Sequence, residues 1–238
     1  MKFYGVHMIK RLLESGMSPE TLTWGHILGT AGGMVSNQGQ LFAQTIEYYI
    51  LGHGKKHWPE IQKLAEDDSE EAFEKLMHYT MEGGRLNGET GVIRAVAKPT
   101  SITENGKTTD LKPGDAVFVN LRVASHDPDV FPNPDEVDIT RSLDSYIHLG
   151  YGPHQCLGLP MTRMALTTML REVARLKNLR PALGPQGKIH KVEKKMGPGE
   201  EKYSYHAYLT ENQDMYFPFP CGKLSIHFAT YVHCTDFL

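Results

Sequence analysis

Cysteine is scarce in this chain of 238 residues, and its three members, Cys156, Cys221 and Cys234, are odd in number and scattered. That excludes a disulfide framework and points to a reducing compartment. There is no CxxC pair and no HExxH, which removes the usual zinc sites. No segment approaches the roughly 18 uninterrupted apolar residues of a membrane-spanning helix. Lys2-Phe3-Tyr4-Gly5-Val6-His7 lacks the apolar core of a signal peptide. The expectation is a cytoplasmic protein without a transmembrane segment, able at most to rest peripherally on lipid. Charge of one sign is also missing: 25 Lys and Arg against 28 Asp and Glu leave a net charge of -3. Nothing global therefore predicts nucleic acid or an anionic membrane as partner. Internal repeats, low-complexity segments and a clear domain boundary are absent as well. What remains is ordinary globular material, with 40% hydrophobic residues, enough for a core.

The periodicity predicts a mainly helical chain with small antiparallel sheets. A short amphipathic helix runs over Val6 to Glu14 and closes at Ser15-Gly16. Ser18 as cap and Pro19 at the first helical position open a second element. Helical spacing then holds from about Leu22 to Leu51, an unusual length. Its middle carries Gly29, Gly32, Gly33 and Gly39, each costing roughly 1 kcal/mol against alanine, so a compensating reason is needed. Close approach of a planar ligand is such a reason. Gly52 to His57 reads as an exposed turn, and Pro59 to Glu66 as a short helix. Asp68 with Glu71 makes a capping-box start to a helix ending near Arg85. Glu82 and Arg85 share one side of its last turn, by base rate a surface ion pair. From Gly91 to Asn120 short alternating runs around Glu104-Asn105-Gly106-Lys107 and Lys112-Pro113-Gly114-Asp115 form a small antiparallel sheet. Pro128, Pro132 and Pro134 then carry an extended meander over the surface. Leu183 to Glu201 reads as loop with a solvated lysine cluster, and Tyr203 to Phe228 as strand-like.

The chemistry concentrates in Leu149-Gly150-Tyr151-Gly152-Pro153-His154-Gln155-Cys156-Leu157-Gly158, a glycine-rich loop at the mouth of a helix. A helix N-terminus favours thiolate over thiol, and a thiolate is both a metal ligand and a nucleophile. Gly150, Gly152 and Gly158 allow something large and flat to approach. A dinucleotide turn fails at the third glycine, which is Gln155. A catalytic pair of Cys156 and His154 is disfavoured because residues two apart around a loop seldom face each other. Axial ligation of haem iron remains.

These residues resemble the haem-thiolate enzymes of the cytochrome P450 family. The loop is similar to the family pattern F-x-x-G-x-R-x-C-x-G, with Leu149 for Phe and His154 for Arg, while Gly152, Cys156 and Gly158 agree. Glu82-Gly83-Gly84-Arg85 resembles its ExxR motif, and Phe131 to Arg141 the extended segment whose Arg completes a Glu-Arg-Arg triad. The resemblance implies the C-terminal half of a cytochrome P450 fold (α+β, mainly α) and haem b as cofactor. It implies Cys156 as the axial, metal-ligating residue and Glu82, Arg85 and Arg141 as a buried structural triad. Arg94 and His154 would be contacts for the haem propionates.

The long helix departs from the family. Oxygen-activating members carry A/G-G-x-D/E-T there, whereas this chain has Ala31-Gly32-Gly33-Met34-Val35-Ser36-Asn37, with Met34 or Val35 at the acid position. Neither transfers a proton. A hydroperoxide brings its own O–O bond and needs only a hydrogen-bond donor beside its distal oxygen. Thr30 to Gln40 together with the Cys156 loop is similar to the fungal linoleate diol synthases, the psi-factor-producing oxygenases. That likeness implies Asn37 and Gln40 as catalytic residues, a fatty-acid hydroperoxide or other lipid as substrate, and isomerisation to a dihydroxy fatty acid. It spans residues 1–238 but begins just before the long helix. A partial domain is therefore expected, with the N-terminal half of the haem-thiolate domain and a dioxygenase domain lying outside it. Two alternatives stay open at this point: an O2-dependent monooxygenase of the same fold, and a truncated, inactive haem-binding remnant.

Overall fold

The computed structural model describes residues 3–104, 106–181, 183, 189–196, 203–209, 215–216 and 226–229. Two compact units emerge, Met1–Leu41 and Phe42–Leu238.

In the first unit, α1 (Tyr4–Glu14) starts two residues earlier than its periodicity suggests and ends at Gly16 in the left-handed region, φ 88°. Ser18 caps α2 (Pro19–Thr21), its Oγ accepting from the Thr21 amide at 3.1 Å with Pro19 at the first helical position. The helix continues through a π-helical stretch (Leu22–Ile27), α3 (Leu28–Ala31) and a second π-helical stretch (Gly32–Ser36) into α4 (Asn37–Ile50). The length read from the sequence is thus continuous helix, but twice widened. Such π stretches are rare and concentrate at functional sites. A Cβ added at Gly29, Gly32, Gly33 or Gly39 meets nothing within 4 Å, so internal packing does not require glycine at any of them.

In the second unit, the core gathers Ile46, Tyr49 and Ile50 of α4, Ile61 and Leu64 of α5 (Trp58–Ala65), Leu76 and Tyr79 of α6 (Glu70–Asn87) and Leu170 of α8 (Leu159–Ala174). Burying each such side chain stabilises by about 1.5–3 kcal/mol. Gly83 is required by packing: a Cβ there presses on Thr45 Cγ2 and Tyr49 Cε2 at 2.8 Å. The Tyr49 hydroxyl crosses the same contact to donate to the Tyr79 carbonyl at 2.6 Å.

Four sequence readings change. Ser69, not Asp68, caps α6, accepting from the Ala72 amide at 3.2 Å; Asp68 instead pairs with Arg171 and Arg175 of α8. His53–His57 folds as a turn of 3-10 helix, exposed at His53, Lys55 and Lys56 as expected but with Gly54 buried under Tyr48. The single sheet expected between Gly91 and Asn120 is two: β1 (Val92–Ala95) pairs with β4 (Ala116–Val119), and β2 (Thr100–Glu104) with β3 (Lys107–Leu111). Finally, part of the expected loop is β6 (Lys191–Met196), paired antiparallel with β7 (Tyr203–Leu209) in the register Lys191 to Tyr208. Its lysines stay exposed, but Lys191 also reaches inward: its Nζ donates to the buried Glu47 at 2.6 Å, and the Tyr208 hydroxyl and Asn87 Nδ2 donate to the same carboxylate at 3.0 Å. Between these sheets lie α7 (Leu121–Ala124) and the meander; β5 (Lys177–Pro181) pairs with β9 (Ile226–Ala229), and β8 (Met215–Tyr216) with β7. Cys221 and Cys234 lie outside the described residues.

Candidate haem-thiolate site

The best-defined polar constellation in the second unit centres on Glu82, on the last turns of α6. Arg85, one turn on, forks onto it with two parallel bonds, Nε to Oε1 and Nη2 to Oε2, both 2.9 Å. Both side chains are wholly buried, so a surface ion pair is ruled out. Bidentate, charge-assisted geometry is what makes burial of two charges tolerable. Arg85 spends its remaining donors on the meander: Nη1 to the carbonyls of Ser125 (3.0 Å) and Pro134 (2.5 Å), Nη2 to that of Glu136 (3.0 Å). Glu82 Oε2 accepts the Asp138 amide at 3.0 Å. Arg141 joins from the meander's end, its Nε 3.5 Å from Glu82 Oε1 and its Nη2 donating to the Pro132 carbonyl at 2.7 Å. Two neighbours on α6 and an arginine more than fifty positions later thus meet in one buried network.

Phe131 completes it. The ring is fully buried, with the guanidinium carbons of Arg85 and Arg141 at 5.2 and 5.7 Å from its centroid. The proline-rich sequence around it reads as surface meander, and the aromatic before Pro132 was the available sign that one side chain turns inward. Tyr146 and His148 are likewise buried between this network and the cysteine loop, their rings 5.9 Å apart and edge-on. Burial, then the Glu82 charge, pushes the Tyr146 phenol well above its usual pKa. Burial, helped by the charges of Arg85 and Arg163, lowers His148 from 6.5 to about 4, so it is neutral at pH 7.

The loop itself is held by its own backbone. The Gly150 amide donates to the Ile147 carbonyl at 2.8 Å and the Cys156 amide to that of Leu149 at 2.9 Å. Gly150 (φ 87°) and Gly152 (φ 56°) take left-handed conformations, and a Cβ on Gly150 collides with the His154 carbonyl. α8 follows with Gly158 as its N-cap and Pro160 in the first turn; the Leu159 amide donates to the Cys156 carbonyl at 3.0 Å.

Cys156 is an exposed, free thiol. Beside it Leu157 is fully exposed and Tyr151 nearly so. An unpaired sulfur next to a bare leucine is a poor surface in water but a suitable one for a flat, apolar macrocycle with a metal at its centre. Gly158 borders the sulfur: a Cβ there would stand in ordinary contact with Sγ, at 3.6 Å. The donor fits haem: one soft, exposed sulfur that is free to bind a metal. Among the described residues no cluster of three His, Cys, Asp or Glu offers an ordinary metal site, which does not bear on single-thiolate ligation.

The other expected site residues take part in none of the contacts described for this network. Arg94 is exposed on β1, its Nη1 donating to the neighbouring Ile93 carbonyl at 3.0 Å. His154 is exposed in the 3-10 turn Gly152–His154. Both are thereby available to a carboxylate ligand. Asn37 and Gln40 occupy the first turns of α4, Asn37 exposed and Gln40 half-buried.

A family model described as cytochrome P450 matches residues 88–207, half of the chain. Psi-producing oxygenase A from Aspergillus fumigatus is 48% identical over 217 residues, covering 91% of this chain and 20% of that protein. Linoleate diol synthase from Gaeumannomyces graminis is 38% identical over 225 residues, 84% of this chain and 19% of that protein. The chain spans about a fifth of the length of these curated relatives. Among solved structures, that of CYP109E1 from Bacillus megaterium in complex with corticosterone superposes with a TM-score of 0.58 over 79% of this chain and 47% of that one, at 20% identity, a likeness of fold.

Proposed function

This chain belongs to the cytochrome P450 family, and on that premise we propose that it is the haem-binding part of an isomerase converting a fatty-acid hydroperoxide to a dihydroxy fatty acid. The observation that carries the reading is a pairing of presence and loss. The ligand loop presents a bare Cys156, while the helix position that carries a proton-transferring acid in oxygen-activating members holds Met34 or Val35. The kinship with linoleate diol synthase supports the same substrate class.

Thiolate-ligated haem would supply the iron chemistry that cleaves an O–O bond. The chain's own residues would do the rest. Cys156 would hold the group through its sulfur, and the Leu149 and Ile147 carbonyls keep its loop in shape. Arg94 and His154 offer cationic or N–H groups to the propionates. Asn37 and Gln40 offer carboxamide N–H donors to the distal hydroperoxide oxygen as negative charge develops there. Isomerisation conserves every atom: the oxygen leaving the O–O bond returns to substrate carbon, so no external electrons are needed and the missing acid is no handicap. The π stretches and open glycines that precede α4 leave backbone surface free for a planar or long-chain ligand.

Replacing Asn37 or Gln40 by leucine in the haem-loaded protein tests the assignment. Loss of one such donor should cost roughly 10²–10³ in turnover, with the thiolate-type red-shifted Soret band of the ferrous carbon monoxide form retained. Unchanged turnover in both variants removes them from the site. Full turnover only with NADPH and a reductase favours the monooxygenase, and absence of the band, with no spectral change in Cys156→Ala, favours an inactive remnant.

A further inference from the structure

A groove of about 570 Å³ lies along α1, lined by His7, Met8, Arg11 and Leu12. Its volume falls within the range of small-molecule sites, about 300–1,000 Å³. The lining divides into two rows, because side chains four apart stand one above the other on a helix. His7 and Arg11 form an exposed polar row, and Met8 and Leu12 a half-buried apolar one. No carboxylate stands in the lining. Glu14 is engaged by Lys10 at 3.9 Å, and the Arg11 side chain has no hydrogen bond or ion pair among the described residues. The helix dipole favours a cation in the last turn, which accounts for Arg11 alone and not for a groove of ligand size with an apolar row beside it. A guanidinium presents a fork of N–H donors that matches a carboxylate. Leu12 and the unbranched, adaptable Met8 offer the surface that an alkyl chain needs.

We propose that this groove binds a carboxylate-headed alkyl chain, with Arg11 holding the carboxylate through its forked donors, His7 donating a further N–H to it, and Met8 and Leu12 packing on the chain. The charge decides the sign of the head group: an unpaired guanidinium with no acid in the lining suits an anion and repels an amine. The two rows decide its shape, since a head group on the polar row leaves the tail beside the apolar one. The site is a second one for lipid, because none of the residues assigned to the isomerase reaction lines it. The choice of a fatty acid among anionic amphiphiles rests on the substrate class proposed above; the pairing of a free cation with an apolar row does not.

Decanoate tests this on the whole chain without haem; it has no O–O bond to turn over, and it is added below its micellar concentration. Binding is followed by the side-chain NMR signals of His7 and Met8, which should shift together on one saturation curve. Arg11→Gln, at an exposed position, should raise the Kd at least tenfold with the helical circular dichroism unchanged. Decanol, the same chain without the charge, should bind the wild type at least tenfold more weakly than decanoate, and Arg11→Gln no more weakly than the wild type. The decanol comparison needs no variant, so it decides the question even where Arg11→Gln disturbs the fold. Decanoate binding that leaves His7 and Met8 unshifted, or that is equally tight in Arg11→Gln, overturns the proposal. So does equal affinity for decanoate and decanol, and so does binding to phosphatidylglycerol vesicles with none to monomeric decanoate, which marks a lipid-surface contact instead. The isomerase reading is judged separately, by diol formation in the haem-loaded chain: its failure leaves the carboxylate site standing, and failure of decanoate to bind leaves the diol result untouched.

Discussion

Replacement of Arg85 by methionine is the severest single test of the Glu82 network. The substitution keeps much of the side-chain volume and removes five donor contacts: two to Glu82 and three to the carbonyls of Ser125, Pro134 and Glu136. Removing one member of a buried ion pair costs about 3–5 kcal/mol, because the survivor is left charged and dry. Each of the three carbonyls adds about 1 kcal/mol or more when its donor goes. The sum is on the order of the entire stability of a typical domain, about 5–15 kcal/mol. Arg141 offsets only part of it, since its Nε stands 3.5 Å from Glu82 outside hydrogen-bonding geometry. Urea denaturation at pH 7 should find Arg85→Met unfolded or close to it. The double variant Glu82→Leu with Arg85→Met, which removes both charges, should recover at least about 2 kcal/mol relative to the sum of the single costs. A single cost below about 1 kcal/mol, or simple additivity, would refute the claim that this pair organises the unit.

Acid should destabilise the protein through His148. Its folded pKa is depressed from 6.5 to about 4, so between those values the unfolded chain binds the proton that the folded one refuses. The stability is fully present above pH 6.5 and is lost as pH falls toward 4, by roughly 3 kcal/mol in all. His148→Phe should flatten that portion of the stability profile, and an unchanged slope counts against a buried neutral imidazole. Phe131→Ala should cost about 3–5 kcal/mol in chemical denaturation, whereas Val130→Ala next to it, exposed, should cost less than about 0.5 kcal/mol; equal effects would contradict the inward placement of Phe131. Gly150→Ala should reduce the thiolate-type Soret band more than Gly152→Ala does. Both glycines are left-handed, but only at Gly150 does a Cβ strike backbone. The reverse order would show that the loop is shaped otherwise.

The residues explain what could be read from the sequence and what could not. The spacing of Glu82 and Arg85 places them on one helix side, yet only tertiary contacts decide that the side faces inward, toward carbonyls some 40 to 50 positions later. Asp67-Asp68-Ser69 offers three capping side chains in succession, and the choice of Ser69 follows from Asp68 being drawn to Arg171 and Arg175, a contact between distant segments. The lysine-rich stretch containing Lys191 looks solvated because its buried partner Glu47 is 144 positions away. The loop glycines were legible because positive φ is a local demand. The widening of the long helix was not, because four glycines signal tolerance without specifying which turns become π-helical. His148 escaped notice for a similar reason: nothing local distinguishes a buried histidine from an exposed one.

Product analysis tests the isomerase reading most directly. Protein loaded with haem is incubated with a fatty-acid hydroperoxide in the absence of NADPH and any reductase, alongside Cys156→Ala treated identically. The wild type should form dihydroxy fatty acid containing both hydroperoxide oxygens, and the variant none above background. Diol that appears only when a reductant is supplied, or equally in both proteins, contradicts that reading.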